Sequence, residues 1–460
     1  MTPSLGTLLD GDPDDVVAYL DGTATTRAEL RAAADAIAAQ LRHAGLEREA
    51  IGVLAPNTPG AIAAWCGVWR VGGAFVPLNP RVPPAERDRL ISSTGVTAVI
   101  EPPAVNAVAG ATSRTVHAGE AIIQFTSGTT GRPKAVPLRH DTVLALLDGV
   151  IGSLRSGRAD NGRAPMPNLV PVSLSLWAGI YQVLFAFRLG APVVLMERFE
   201  PAEFARLVAE YGIRSSVLPP AAMVMLARDA NVTTLEPLRY VRSVSAPLSP
   251  IHARHFHDRF GVAILNGYGQ TELGGEVVGW TGADWKEFGA AKLGAVGRPH
   301  AGIDVRVHDG ELEVRSSSTT PDAATLGDRM TEDGWLRTGD LARIDDDGFV
   351  WIEGRVSSMV NRGGLKVFPD EVEEHLREHP AIADAAVAGV PDDRLGEVPW
   401  AFVVVEPGTT IDADMLRDWC RPRMAAYKVP AGVTVVDELP RNEIGKLLRQ
   451  DLVPLAEADR

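Results

Sequence analysis

Phe125-Thr-Ser-Gly-Thr-Thr-Gly-Arg-Pro-Lys134 follows an apolar run, residues 121–125, that reads as a buried strand. The segment carries four hydroxyls (Thr126, Ser127, Thr129, Thr130), two glycines (Gly128, Gly131) and two cations (Arg132, Lys134). Glycines let consecutive backbone N–H groups turn toward one anion, and hydroxyls add donors. It is not a Walker A loop, because Gly128 and Gly131 stand too close together and Lys134 follows Arg-Pro. By composition alone it reads equally as a phosphate cradle or as a small-residue loop.

On the N-terminal side, helical and strand patterns alternate. Thr26 can cap a helix with Glu29, and Leu30, Ala33, Ala34, Ile37, Ala38 and Leu41 form its apolar stripe. Residues 51–55 and 74–77 read as strands, and 61–71 as the helix between them. On the C-terminal side the alternation resumes: strands at 191–196, 215–218 and 262–265, helices at 201–211 and 251–260. The mostly apolar run 177–187 is too short for a membrane span and reads as a buried helix. Alternation of this kind predicts crossovers and mainly parallel sheets. After residue 290, short strand-like runs broken by Gly and Asp predict a β-rich subdomain. From 357 the chain reads as a small α+β unit with a helix at 369–379, whose first turn holds Glu371, Glu373 and Glu374.

The chain has 460 residues, 45% hydrophobic and 23% charged, enough for a large core and several subdomains. A formal charge of −14 argues against a general nucleic-acid binder or an anionic-membrane binder. Two distant cysteines, Cys66 and Cys420, give neither a disulfide framework nor a zinc spacing, and fit a reducing compartment. The N-terminus shows no signal-peptide pattern, so a cytoplasmic protein without a membrane span is expected.

Three further segments carry chemistry. Leu265-Asn-Gly-Tyr-Gly-Gln-Thr-Glu272 should end a strand at the edge where open α/β sheets bind ligands. Its Glu272 is a hard oxygen donor suited to Mg²⁺, and Tyr268 offers an aromatic face to a base. Trp335-Leu-Arg-Thr-Gly-Asp340 precedes Gly354-Arg355: a carboxylate can accept from both ribose hydroxyls, and a guanidinium complements phosphate or ribose oxygens. Pro440-Arg-Asn-Glu-Ile-Gly-Lys446 places a lysine beside a glycine, open to close approach by an anion.

Taken in order, these segments resemble the adenylate-forming superfamily of acyl-CoA synthetases, luciferase-like enzymes and adenylation domains. Ala74-Phe-Val-Pro-Leu-Asn79, Gly294-Ala-Val-Gly-Arg-Pro299 and Asn361-Arg-Gly-Gly-Leu-Lys-Val-Phe-Pro-Asp-Glu-Val-Glu373 extend the resemblance over nearly the whole chain. It implies an α/β architecture: a large N-terminal AMP-binding domain, 1–356, of two sheet-and-helix subdomains plus a β-rich subdomain at 291–356. A small mobile α+β C-terminal domain, 357–460, would follow a hinge near Ser357. The implied reaction is ATP-dependent activation of a carboxylic acid through an acyl-adenylate, then transfer to a thiol. CoA is the expected acceptor. A phosphopantetheinyl carrier protein is the alternative partner, and a non-catalytic nucleotide-binding relative the alternative class; joint retention of Glu272, Asp340, Arg355 and Lys446 speaks against the latter.

Carried over residue by residue, the resemblance makes Lys446, Glu272 and Thr126 catalytic and Glu272 the Mg²⁺ ligand. The nucleotide and its phosphates would meet Thr126, Ser127, Gly128, Thr129, Thr130 and Lys134. Tyr268 and the segment Ser245, Ala246 and Pro247 would flank the adenine, and Gly267, Gly269, Gln270 and Thr271 would belong to the same nucleotide-binding set. Asp340 and Arg355 would hold the ribose, and Gly363 and Gly364 would replace Lys446 at the site for the second step. ATP, Mg²⁺ and CoA are the implied cofactors and co-substrates. Departures from the family pattern are Ser357 at the hinge, Ala135 after Lys134 and Val244-Ser245 where two glycines are usual. Residues 171–179 also lack the usual histidine, and the absence of an Asp there leans against an α-amino acid substrate.

Overall fold

A computed structural model describes residues 4–108, 110, 114, 116–127, 133–155, 165–244, 246–273, 275–316, 319, 326–441 and 447–458. The N-terminal half follows the alternation read from the sequence. Ala50–Leu54 and Ala74–Leu78 are buried at every position and pair in parallel, as expected of strands covered on both faces. They sit in a six-stranded sheet with Ala98–Glu101 on one side and Glu120–Ser127 on the other. Thr26 and Glu29 cap Arg27–His43 reciprocally, and Leu30, Ala34, Ile37, Ala38 and Leu41 are buried, whereas Ala33 faces out. Helix Pro59–Arg70 packs on this sheet, with Trp65 stacked on Phe75 at 5.1 Å.

A second sheet orders Ser215–Leu218, Tyr240–Ser243, Ala263–Gln270, Gly275–Gly279 and Arg298–Pro299. Its first three strands are parallel, and helices Pro201–Glu210, Pro220–Arg228 and Pro250–Phe260 supply its core through Phe204, Leu226 and Phe256. Asp304–His308, Glu311–Arg315, Leu336–Ile344 and Val350–Arg355 form a four-stranded antiparallel sheet, the β-rich part expected there. The C-terminal segment folds Ile382–Asp392 and Gly396–Val405 as a long hairpin under helix Pro369–Arg377. Among the described residues no helix is long and apolar enough to cross a membrane.

Three local expectations are corrected. Thr126, Ser127 and Lys134 are not loop residues: Thr126 pairs with Lys134 and Ser127 with Pro133 where strand Pro133–Arg139 folds back. Helix Trp177–Leu189 is buried on one side only, because Trp177, Tyr181 and Phe185 line an open cleft. Of the acidic residues expected in the first turn of the C-terminal helix, only Glu371 is there, beside Asp370. Glu373 is buried instead, accepting from the Val387 N–H at 2.9 Å and paired with Arg377 and Arg449. An ionised buried carboxylate needs such partners.

Candidate active site

Two strands build the centre of the site. Ala263–Gln270 first runs parallel to Tyr240–Ser243, then continues as the antiparallel partner of Gly275–Gly279. The Gly-Tyr-Gly-Gln segment is thus the second half of a strand, not the turn after one. A Cβ on Gly269 would lie 1.9 Å from the Gly275 carbonyl oxygen, so only glycine lets the two backbones approach this closely. The short 3₁₀ turn Thr271–Leu273 then presents Glu272.

Leu336–Ile344 and Val350–Arg355 pair antiparallel with Asp340 directly opposite Arg355. The preceding Thr-Gly sets this up. The Thr338 hydroxyl donates to the Leu312 carbonyl at 2.7 Å and accepts from the Asp340 N–H at 3.1 Å. Gly339, at φ +77°, donates its N–H to Glu311 at 2.7 Å. Asp340 is 3% exposed. Its Oδ1 accepts from Arg355 Nε at 2.7 Å, and its Oδ2 from the Tyr268 hydroxyl at 2.6 Å and Gln270 Nε2 at 2.9 Å. Burial and then the Asp340 charge hold the Tyr268 phenol well above its usual pKa, so it stays a donor.

The network continues through Arg329, a residue no motif marked. Arg329 donates to Gln270 Oε1 at 2.7 Å, to Glu272 Oε1 at 2.9 Å and to the Arg337 carbonyl at 2.9 Å. Ribose-type and metal-type candidates are therefore one connected set, Arg355–Asp340–Gln270–Arg329–Glu272. Tyr268 contributes its hydroxyl to that set.

The set opens on a cleft of about 3520 Å³ that also reaches Trp177, Tyr181, Val244, Ala246 and Pro247. Gly128, Thr129, Thr130, Ser245 and Lys446 lie outside the described residues, and Thr126, Ser127, Lys134 and Thr271 are described through their backbone alone. Arg441 and Leu447, which flank Lys446, form an isolated bridge and line the cleft. Gly363 and Gly364 are not brought to it. They turn the hairpin between Val360–Arg362 and Leu365–Val367, with φ +59° and +91°, and the Gly363 N–H donates to the Leu395 carbonyl at 2.8 Å.

The chain matches known proteins over most of its length. The AMP-binding enzyme family model matches residues 9–319, and the AMP-binding enzyme C-terminal domain matches residues 371–446. A feruloyl-CoA synthase from Amycolatopsis sp. is 31% identical over 478 residues, covering 94% of this chain and 94% of that protein. The 4-coumarate–CoA ligase-like 5 of Oryza sativa subsp. japonica is 33% identical over 347 residues, and the match spans 73% of this chain and 62% of that protein. The o-succinylbenzoate CoA synthetase of Bacillus subtilis, solved with its acyl-adenylate, superposes with a TM-score of 0.83 at 24% identity, covering 98% of each chain.

Proposed function

Because the chain belongs to the AMP-binding enzyme family, we propose that this cleft activates a carboxylic acid with ATP and passes the acyl group to CoA. The enzyme is an AMP-forming acid–thiol ligase. The observation that carries the reading is the Asp340 network, a buried carboxylate held by Arg355, Tyr268 and Gln270 in the lining of a cleft.

In the first step a carboxylate oxygen attacks the α-phosphorus, the bond to the β-phosphate oxygen breaks and pyrophosphate leaves. In the second the CoA sulfur attacks the acyl carbon, the acyl–oxygen bond breaks, AMP leaves and the thiol proton goes to solvent. Asp340 accepts the ribose hydroxyls, and Arg355 and the Tyr268 hydroxyl fix that carboxylate in place. Negative charge grows on phosphate oxygens in the first step, and fixed cations there stabilise it without reorganising. Lys446 has that role, with segment 125–134 holding the outgoing phosphates.

The donor set fits Mg²⁺. Among the described residues no group of three or more metal-type side chains exists, and Mg²⁺ takes one or two carboxylates and leaves its other positions to phosphates and water. Glu272 is the carboxylate that would hold it, its Oε1 also accepting from Arg329. The ion supplies charge neutralisation at the phosphates. Glu272→Gln keeps the shape but loses the charge; adenylation is expected to fall about 10-fold and its Mg²⁺ requirement to shift upward. A titration that superposes on wild type contradicts the assignment.

The chain divides into an N-terminal domain, 1–356, and a lid, 357–460, that turns about Ser357. Among the described residues, side chains on both sides tie the lid to the N-terminal domain. Arg228 reaches the Ala383 carbonyl at 2.7 Å and Glu406 at 3.1 Å, and Glu374 accepts from Ser249 at 3.2 Å. The Arg228–Glu406 pair is exposed and contributes about 0–1 kcal/mol. Both cysteines are free and buried, in keeping with a cytoplasmic enzyme.

Val244 lines the cleft where two glycines are usual in related enzymes, and adds bulk to the acid pocket. A short or planar acid is therefore favoured over a long alkyl chain, and Val244→Gly should admit larger acids. Wild-type turnover that is fastest with long-chain acids contradicts this. The overall reading is tested by pyrophosphate release with an acid panel, with and without CoA. Release that requires both ATP and acid, and a thioester that forms only when CoA is added, is the expected result.

A further inference from the structure

Leu326 is buried in the core of the four-stranded antiparallel sheet, and the short 3₁₀ turn Gly327–Arg329 follows it. Met330 then bridges to Leu336, and a turn closes between them. The Thr331 N–H donates to the Trp335 carbonyl at 2.8 Å, and the Trp335 N–H donates to the Thr331 hydroxyl at 2.8 Å. The chain leaves this turn as Leu336–Ile344, the strand that carries Asp340. Arg329 is thereby laid alongside the start of that strand, and its Nε donates to the Arg337 carbonyl at 2.9 Å.

A guanidinium is a planar fork of donors, and both arms of this one are used. Nη1 donates to Glu272 Oε1 at 2.9 Å; Nη2 donates to Gln270 Oε1 at 2.7 Å and to the Thr338 carbonyl at 3.4 Å. With its oxygen taken by Arg329, the Gln270 amide turns its nitrogen the other way. Nε2 donates to Asp340 Oδ2 and to the Thr338 carbonyl, each at 2.9 Å, and to the Tyr268 hydroxyl at 3.0 Å. A glutamine amide has an acceptor on one edge and donors on the other, in nearly the same shape. Turned over, it would set its oxygen against the Asp340 carboxylate and its NH₂ against the guanidinium. Both contacts would then be repulsive, so the cation on one edge and the carboxylate on the other fix a single orientation.

Arg329 lines the cleft and its side chain is 33% exposed, so a direct contact to a nucleotide phosphate is the competing role. Its charge is already matched by Glu272, and its Nε and both arms are spent on the protein. The geometry points to Arg329 as a positioning residue for ribose recognition: it sets the Gln270 amide, and through that amide the Asp340 carboxylate, without touching the nucleotide. This rests on the ribose role proposed for Asp340.

The test measures binding of AMP and of 2′,3′-dideoxy-AMP to the full chain by calorimetry, without metal. Both ligands carry the same phosphate and base, so the ratio of their affinities reads the ribose contact alone. Wild type should bind AMP about 10–100-fold more tightly than the dideoxy analogue. Arg329→Met should weaken AMP about 10-fold and leave the dideoxy analogue nearly unchanged. Arg329→Lys keeps the charge but has no planar fork to span Glu272, Gln270 and the Arg337 carbonyl, and should show the same loss. In a Gln270→Ala background, Arg329→Met should change AMP affinity by no more than about twofold, because the amide it acts through is gone. A ratio that either variant leaves intact overturns the inference alone. So does an equal fall for both nucleotides, which a phosphate contact or a general loosening of the fold would give, or full additivity with Gln270→Ala. Wild type that binds both nucleotides equally, or neither, overturns the ribose role of Asp340 and the inference with it.

Discussion

Lys446→Ala is expected to slow acyl-adenylate formation about 10²–10³-fold, or 3–4 kcal/mol, as loss of one preorganised charge-stabilising group typically does. Thioester formation from supplied acyl-adenylate should stay near wild type, because that step no longer develops charge at the α-phosphate. The flanking residues Arg441 and Leu447 line the cleft, whereas Gly363 and Gly364 do not. Ser357→Pro is expected to behave oppositely. Ser357 is exposed in the short turn Val356–Ser358, and proline there would fix φ near −65° and remove an N–H. Adenylation should survive, and the thiol step should fail because the lid cannot turn. Pyrophosphate release and thioester formation from synthetic adenylate read the two steps separately. Equal loss of both steps in both variants contradicts the turning lid.

Asp340→Ala is expected to raise the KM for ATP about 10–100-fold, the worth of one or two hydrogen bonds to a charged acceptor. It should also destabilise the fold by about 2–3 kcal/mol. The variant strands the Tyr268 hydroxyl and the Gln270 amide and removes the partner of Arg355. The stability loss is kept modest because Arg355 is 43% exposed and can turn to water. Asp340→Asn separates the two effects: it fills the space and keeps an acceptor, but loses the charge. Urea melts and ATP saturation curves check both. A lowered melt with unchanged ATP saturation makes Asp340 structural and removes it from the ribose site.

What the sequence makes legible here is whatever lies in short contiguous stretches. Glu272, Asp340, Arg355 and Tyr268 stand in runs whose local chemistry marks them, and the structure connects all four. Thr26 and Glu29 were readable as a reciprocal cap for the same reason. Strand Pro133–Arg139 was not, because Pro133 and Pro137 argue against strand; the structure places it at a sheet edge, where a missing N–H costs least. Gly267 and Gly269 likewise disguised the second half of Ala263–Gln270, since two glycines lower strand propensity and their reason is a tertiary close approach. Arg329 lies 57 residues from the Glu272 it holds, and Arg242, Glu276 and His300 meet only across a sheet. No spacing in a single sequence encodes contacts of that kind.

The central claim is that acid and AMP are joined covalently before the thioester forms. The most direct measurement supplies a turned-over acid labelled with ¹⁸O in both carboxylate oxygens, together with ATP and CoA, and weighs the products. Attack by carboxylate on the α-phosphorus followed by thiolysis at the acyl carbon carries one labelled oxygen into AMP and leaves one in the thioester. AMP heavier by one ¹⁸O, with unlabelled pyrophosphate, is the predicted result. Unlabelled AMP, or ADP with the label in inorganic phosphate, would contradict the account.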